Sequence, residues 1–266
     1  MTMEMITPQK VHDVARFAEH LDLHHRIDGW FSVESAAAWD AMLCKQNALR
    51  AQGHMLEIGV WKGKSATLMA IHSDPTQEVV VLVDKYLDQP AIESALHNVY
   101  ANLGDSFQLL KMDSRRLVLD PILVDGFEAF RWIHIDGEHS GRAVINDLSV
   151  ANTLLSDQGV VCIDDYFNWL YPQVTEAVNR YVREHPDQFA LFLCGYNKAY
   201  LARPHHAHTW LQYCKEELMG DLEGRGVEAT LAKSTLPTEM NTFGMGPRFE
   251  GQRMRGPDWA QQTIRI

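Results

Sequence analysis

Two apolar runs that each stop at aspartate, with one helix-length amphipathic segment between them, constrain this chain more than any other feature. They lie in RWIHIDGEHSGRAVINDLSVANTLLSDQGVVCIDD, from Arg131 to Asp165. The first run, Trp132 to Ile135, stops at Asp136; the second, Val160 to Ile163, stops at Asp164 and Asp165. Between them Val144, Ile145, Leu148, Ala151, Leu154 and Leu155 recur at helical spacing, and Gly159 ends the pattern. Strand, helix, strand in this order predicts a parallel pair joined by a right-handed crossover. Both strands then finish at one edge of the sheet. Asp136, Asp164 and Asp165 converge there, with His139 just past the first.

Strand ends of this kind are where open α/β sheets bind ligands. Three carboxylates brought together repel one another, and a cation, a proton or screening water must relieve the repulsion. Hard oxygen donors of this sort suit Mg²⁺ or a similar ion. Taken singly, each aspartate reads equally as a solvated strand end. Two consecutive strands aimed at one place read as a site.

A chain of 266 residues fits one large α/β domain with additions. Its 46% hydrophobic content supports a sizeable core, and a formal charge of −11 argues against nucleic acid or an anionic membrane as partner. Cys44, Cys162, Cys194 and Cys214 form no CxxC pair and no zinc pattern. The sequence MTMEMITPQK lacks the basic and apolar regions of a signal peptide, and no apolar run reaches the roughly 18 residues of a membrane span. A protein of the reducing cytoplasm is expected.

Helices are expected from about Gln9 to His25 and from the N-cap Ser32 through Leu49, joined by a turn with two exposed aromatics, Trp30 and Phe31. Strands follow at His54 to Ile58, Glu78 to Asp84 and Phe107 to Met112, then the two that end at the aspartates. Between them, Pro90 opens a helix and Gly104 lies near its end. A helix after Pro172 precedes a hairpin of Gln188–Cys194 and Lys198–Arg203. A final helix spans about His208 to Met219. The tail beyond it, rich in Gly, Pro and Arg, reads as an extended arm. Its Arg248, Arg253 and Arg255 are suited to acidic surface, including that of a second subunit, and a homo-oligomer is expected.

The connection EIGVWKGKS, Glu57 to Ser65, follows a strand and opens a helix, so an anionic or electron-rich group should bind it. It is one residue short of a phosphate-binding P-loop, and Trp61 stands where a dinucleotide fingerprint needs its second glycine. A nucleoside site fits better. Gly59 and Gly63 leave room for a bulky ligand, Asp84 can accept from both ribose hydroxyls, and Asp113-Ser114 could read an adenine edge.

On these residues the chain resembles the class I S-adenosylmethionine-dependent methyltransferases, from about Met55 to Arg203. HIDGEHS followed by GVVCIDDY is similar to the metal-dependent O-methyltransferases that act on macrolide sugars, and to cephalosporin-hydroxylase-like proteins. The resemblance implies a Rossmann-like, mainly parallel seven-stranded sheet of order 3-2-1-4-5-7-6 with the last strand antiparallel. It implies a helical cap at 1–50, a cofactor-binding core at 51–203, and a C-terminal helix and arm at 204–266. It places Glu57, Gly59, Gly63, Ser65, Asp84, Asp113, Ser114 and Asp136 around S-adenosylmethionine, with Asp136, Asp164 and Asp165 holding Mg²⁺. His139 stands where catechol-type relatives carry lysine, and Asp165 where they commonly carry asparagine.

Methyl transfer from a sulfonium needs a positioned, deprotonated oxygen. A divalent ion lowers the pKa of the acceptor hydroxyl, and His139 is suited to take its proton. The expected function is O-methylation of a small polyhydroxylated molecule. The alternatives are a metal-independent methyltransferase with His139 as base, and a non-catalytic S-adenosylmethionine-binding protein. Phe167, Trp169 and Tyr171 are candidates for a substrate wall, and His205 to His208 for plain surface.

Overall fold

The computed structural model describes residues 14–99, 106–119, 129–234, 240–248 and 263–265. Val11, Gly104, Arg253 and Arg255, and most of the expected arm, lie outside the described residues.

Two helices come first, α1 (Ala15–His24) and α2 (Val33–Ala48). Ser32 caps α2, its Oγ accepting from the Ser35 amide at 3.1 Å. The core then alternates β1 (His54–Ile58), α3 (Lys64–His72), β2 (Val80–Asp84), α4 (Gln89–Leu96) and β3 (Phe107–Lys111). A short 3-10 turn, Ser114–Leu119, leads on to β4 (Phe130–Ile135), α5 (Gly141–Leu154), β5 (Leu155–Ile163) and α6 (Pro172–Glu184). The hairpin is β6 (Ala190–Gly195) and β7 (Lys198–Ala202). Its two turn residues, Tyr196 and Asn197, both have positive φ, 48° and 66°, as a two-residue turn matched to strand twist requires.

The final helix is two, α7 (Ala207–Glu216) and α8 (Leu218–Gly224). Three more strands follow, β8 (Ala229–Ser234), β9 (Phe243–Pro247) and β10 (Thr263–Arg265). The sheet runs β10-β8-β9-β6-β7-β5-β4-β1-β2-β3. The expected order 3-2-1-4-5-7-6 is present, with β7 antiparallel to both neighbours. Three strands from the tail extend it beyond β6. β9 pairs parallel to β6, and a Cβ at Gly195 would lie 2.0 Å from the Met245 carbonyl, so only glycine admits that strand.

The central strands are buried on both faces, so their side chains divide by alternation. Met55, Trp132, Val160 and Tyr200 join one core with α2, α3 and α7; Leu56, Ile133, Val161 and Leu201 join the other with α5 and α6. Trp39 of α2 meets Trp132 edge to face at 5.2 Å, which seats the N-terminal helices on the first face. Phe31, expected to be exposed, is buried against Trp39 at 4.8 Å, while Trp30 beside it stays 85% exposed. Its neighbour's apolar contact, 8 residues away in sequence, decides which of the two rings turns in.

Among the described residues no helix is long and apolar enough to cross a membrane. None of the four cysteines is in a disulfide.

Candidate functional site at the carboxyl edge

β1, β2, β4 and β5 finish at one edge, and their connections build a groove and a small cavity. The groove, of about 710 Å³, runs past Gly59, Asp84, Asp113, Ser114, Asp136 and the start of α5. That volume is ample for a nucleoside-sized ligand. The cavity, of about 40 Å³, is walled by Trp30, Phe31, Trp61, His134, Asp136 and Asp164, among others. It is little larger than one water's share of liquid, roughly 30 Å³. A hydroxyl or an ion fits inside.

The turn after β1 is fixed by two left-handed glycines, Gly59 (φ 88°) and Gly63 (φ 81°). A Cβ at Gly59 would stand 1.9 Å from the Asp136 carbonyl, so the turn and β4 touch through bare backbone. Asp84 Oδ2 accepts from the Val60 and Trp61 amides at 2.9 and 3.3 Å, and Oδ1 from the Tyr86 amide at 2.7 Å. Oδ2 is thereby filled, and Oδ1 keeps lone-pair capacity. Ser114 donates to Asp147 Oδ1 at 2.6 Å, and Asp113 is held well below the usual carboxylate range by hydrogen bonds from Arg115.

Not every expected cofactor contact faces the groove. Gly63 caps α3, with Ile92 as the nearest neighbour to its missing Cβ. Ser65 lines the small cavity instead. Glu57 is fully buried beneath the edge, where Oε1 accepts from Ser65 Oγ at 2.5 Å and pairs with His134 Nδ1 at 2.7 Å.

The three carboxylates divide between two neighbouring groups. Two sets of three side chains each bring possible ligand atoms within 4.8 Å of one another: His134, Asp136 and Asp164, and Asp136, His139 and Asp165. Asp136 belongs to both. Burial, then the charge of Asp164, pushes the Asp136 carboxyl above its ordinary range. Asp165 has φ 58°, a left-handed conformation uncommon outside glycine, which turns its carboxylate to His139 at 2.9 Å. Its other oxygen accepts from Asn168 and Asn197 at 2.5 and 2.8 Å. Burial opposes its charge, but His139 and the two asparagines hold its pKa down to about 2.

His139 is positioned on all sides. Its ring stacks on Tyr171 at 4.3 Å, and its carbonyl accepts from Gln173 Nε2 at 2.8 Å. Asp136 at 3.6 Å and Asp165 at 2.9 Å raise its pKa to about 10. It is an imidazolium at neutral pH. Phe167 and Trp169 stand 58% and 86% exposed, outside both the groove and the cavity.

Two residues of the site lay outside the sequence reading. Lys198, the first residue of β7, is 2% exposed and places Nζ 2.6 Å from Asp164 Oδ2, with the rings of Phe31 and Trp39 beneath it. Burial opposes its charge, but Asp164 above all keeps the ammonium protonated. His134 lies two residues before Asp136, on the same face of β4. Alternation along WIHID could have found it; nothing local could have found Lys198.

Residues 56–166 match the family described as a methyltransferase domain. An uncharacterized protein of Acanthamoeba polyphaga mimivirus, R132, is 28% identical over 138 residues, which is 48% of this chain and 59% of that protein. The chain therefore spans under two thirds of that curated relative. Among solved structures, the O-methyltransferase NovP matches at TM-score 0.52 with 18% identity, covering 65% of this chain and 80% of NovP. CalS11, a TDP-rhamnose 3'-O-methyltransferase of calicheamicin biosynthesis, matches at 0.51 with 13% identity, covering 74% and 96%. MycE, described with Mg, S-adenosylhomocysteine and mycinamycin VI, matches at 0.52 with 13% identity, covering 70% and 54%. These likenesses establish the class I methyltransferase fold.

Proposed function

We propose that this chain, whose residues 56–166 form a methyltransferase domain, transfers the methyl group of S-adenosylmethionine to a hydroxyl of a small polyhydroxylated molecule, with a divalent cation such as Mg²⁺. The observation that carries the reading is the abutment of groove and cavity at Gly59 and Asp136. A donor in the groove and a hydroxyl in the cavity face each other across that point, which supplies the in-line approach a displacement needs.

The residues fit the donor. Asp84 stands at the groove with lone-pair capacity left on Oδ1 for a hydroxyl, and bare backbone at Gly59 admits close approach. They also fit a cation, for which Asp136 with either Asp164 or Asp165 would supply hard oxygen donors. When bound, the cation would lower the pKa of the acceptor hydroxyl. Asp136 and Asp165 now hold the proton on His139. A cation sharing their charge would relax that hold and leave Nε2 to take the hydroxyl proton. The new O–C bond forms as the S–C bond breaks. S-adenosylhomocysteine leaves with the electron pair.

A small cavity behind an exposed Trp30 and Trp61 suits an acceptor that inserts one hydroxyl and leaves its body outside. CalS11, as its name states, methylates TDP-rhamnose. A second reading, a metal-independent methyltransferase with His139 as base, is favoured by one observation: Lys198 already neutralises Asp164.

Calorimetric titration of the purified protein with S-adenosylmethionine tests the first half. Binding is expected, and none at millimolar donor would overturn it. Asp164→Ala should abolish metal-dependent turnover of a nucleotide-sugar panel while leaving donor affinity nearly intact. Turnover that survives a chelator would select the metal-independent reading.

A further inference from the structure

His134 is buried to 1% exposure, yet only one of its ring nitrogens has a partner. Nδ1 is bound to Glu57 at 2.7 Å, and Glu57 is itself fixed by Ser65. Nε2 makes no hydrogen bond, although His134 lines the cavity and groups with Asp136 and Asp164, their possible ligand atoms within 4.8 Å of one another. Buried polar nitrogen without a partner is costly and rare. The nearest carboxylate oxygen, Asp164 Oδ2, is 4.0 Å away, too far for a hydrogen bond.

That separation suits another arrangement. Two donors each ~2.1 Å from one ion lie roughly 3–4.2 Å apart. A carboxylate on Nδ1 is the companion that metal-bound histidines ordinarily carry. It fixes the tautomer, aims Nε2 and raises its basicity. Glu57, buried and with no other side-chain partners than Ser65 and His134 among the described residues, has that place. Edge-to-face contact with Trp39 at 4.5 Å holds the imidazole plane.

We propose that the cation of this site takes a nitrogen ligand, His134 Nε2, beside the carboxylates of Asp136 and Asp164, with Glu57 as the positioning residue behind it. The inference rests on the reading above that a divalent cation acts here, and it changes the chemistry of the donor set. One imidazole among carboxylates shifts preference from Mg²⁺ towards Mn²⁺ and Co²⁺. Asp164 Oδ2 also faces Lys198, so the ion shares that oxygen with an ammonium and binds more weakly than the ligand count alone would give.

Mn²⁺ is the probe, used with the full chain after chelator treatment. Electron-spin-echo spectroscopy of the bound ion detects directly coordinated ¹⁴N, with no need for turnover or a variant. One Mn²⁺ carrying nitrogen coupling is expected. His134→Gln should remove the coupling and weaken Mn²⁺ at least tenfold, and Glu57→Gln should weaken it roughly 10- to 100-fold. Co²⁺ should bind tighter than Mn²⁺, and Mn²⁺ tighter than Mg²⁺. Bound Mn²⁺ without nitrogen coupling, or coupling that persists in His134→Gln and vanishes in His139→Gln, would overturn the assignment. Failure to bind Mn²⁺ at all would overturn it together with the metal half of the proposed function. Calorimetry with S-adenosylmethionine on the same sample reports separately on the methyltransferase reading.

Discussion

Lys198 Nζ lies 2.6 Å from Asp164 Oδ2, and the two side chains are 2% and 10% exposed. An ammonium therefore already stands among the carboxylates at the carboxyl edge. It and a divalent cation would contend for one oxygen. At about 4 Å and an effective dielectric of about 20, a neighbouring unit charge is worth roughly 4 kcal/mol.

Lys198→Met should therefore tighten Mn²⁺ binding by at least about tenfold, or ~1.4 kcal/mol. It should also lower stability in the absence of metal, because it leaves Asp164 buried without its partner. Thermal melting with and without Mn²⁺ checks both at once. The variant should melt below the wild type without metal and gain more from its addition. Unchanged metal affinity would show that Lys198 and the ion do not compete.

The ion pair of His139 with Asp165 makes stability depend on pH. His139 is raised from 6.5 to about 10, so its contribution is complete below pH 6.5 and lost as pH climbs through 10. Asp165 is lowered from 3.8 to about 2, so its contribution is present above pH 3.8 and lost as pH falls through 2. The pair is whole between 3.8 and 6.5. Asp136, raised by burial to about 6, works in the opposite sense: its cost to stability sets in above pH 3.8 and is complete above about 6. Urea denaturation of His139→Gln against the wild type, from below pH 6.5 to above 10, should give a gap that narrows with rising pH. A gap independent of pH would mean that the imidazolium contributes nothing. The ring is a third exposed, so added salt should shrink the effect.

A second buried network holds the first helical layer together, away from the site. Asp40 of α2 pairs with His72 of α3 at 2.6 Å and with Arg225, just after α8, also at 2.6 Å. All three side chains are fully buried. Asp40→Ala leaves Arg225 charged without its main counter-ion and should cost about 3–5 kcal/mol in chemical denaturation. Donor affinity should be unchanged, because the network touches neither groove nor cavity. A loss of donor binding in a variant that remains folded would contradict that separation.

Much of this was legible in the chain, for physical reasons. β4, α5 and β5 announce themselves because each is long, strongly patterned and ended by polar residues. Gly59 and Asp84 follow from their places at the ends of strands that any parallel sheet would align. His134 was hidden by its setting, since one histidine inside an apolar run reads as core. Lys198 lies 34 positions after Asp164, and β7 reaches it only through an antiparallel return that fixes register at long range. β9 was missed because glycine and proline mask strand propensity, and β9 is held by pairing with β6 and β8 rather than by its own residues.

Groove and cavity share only Gly59 and Asp136 among their lining residues. They are two rooms with separate doors and one window between them. For the proposed reaction, either substrate could enter or depart while the other stays in place. Such a layout favours random order of addition over a compulsory sequence.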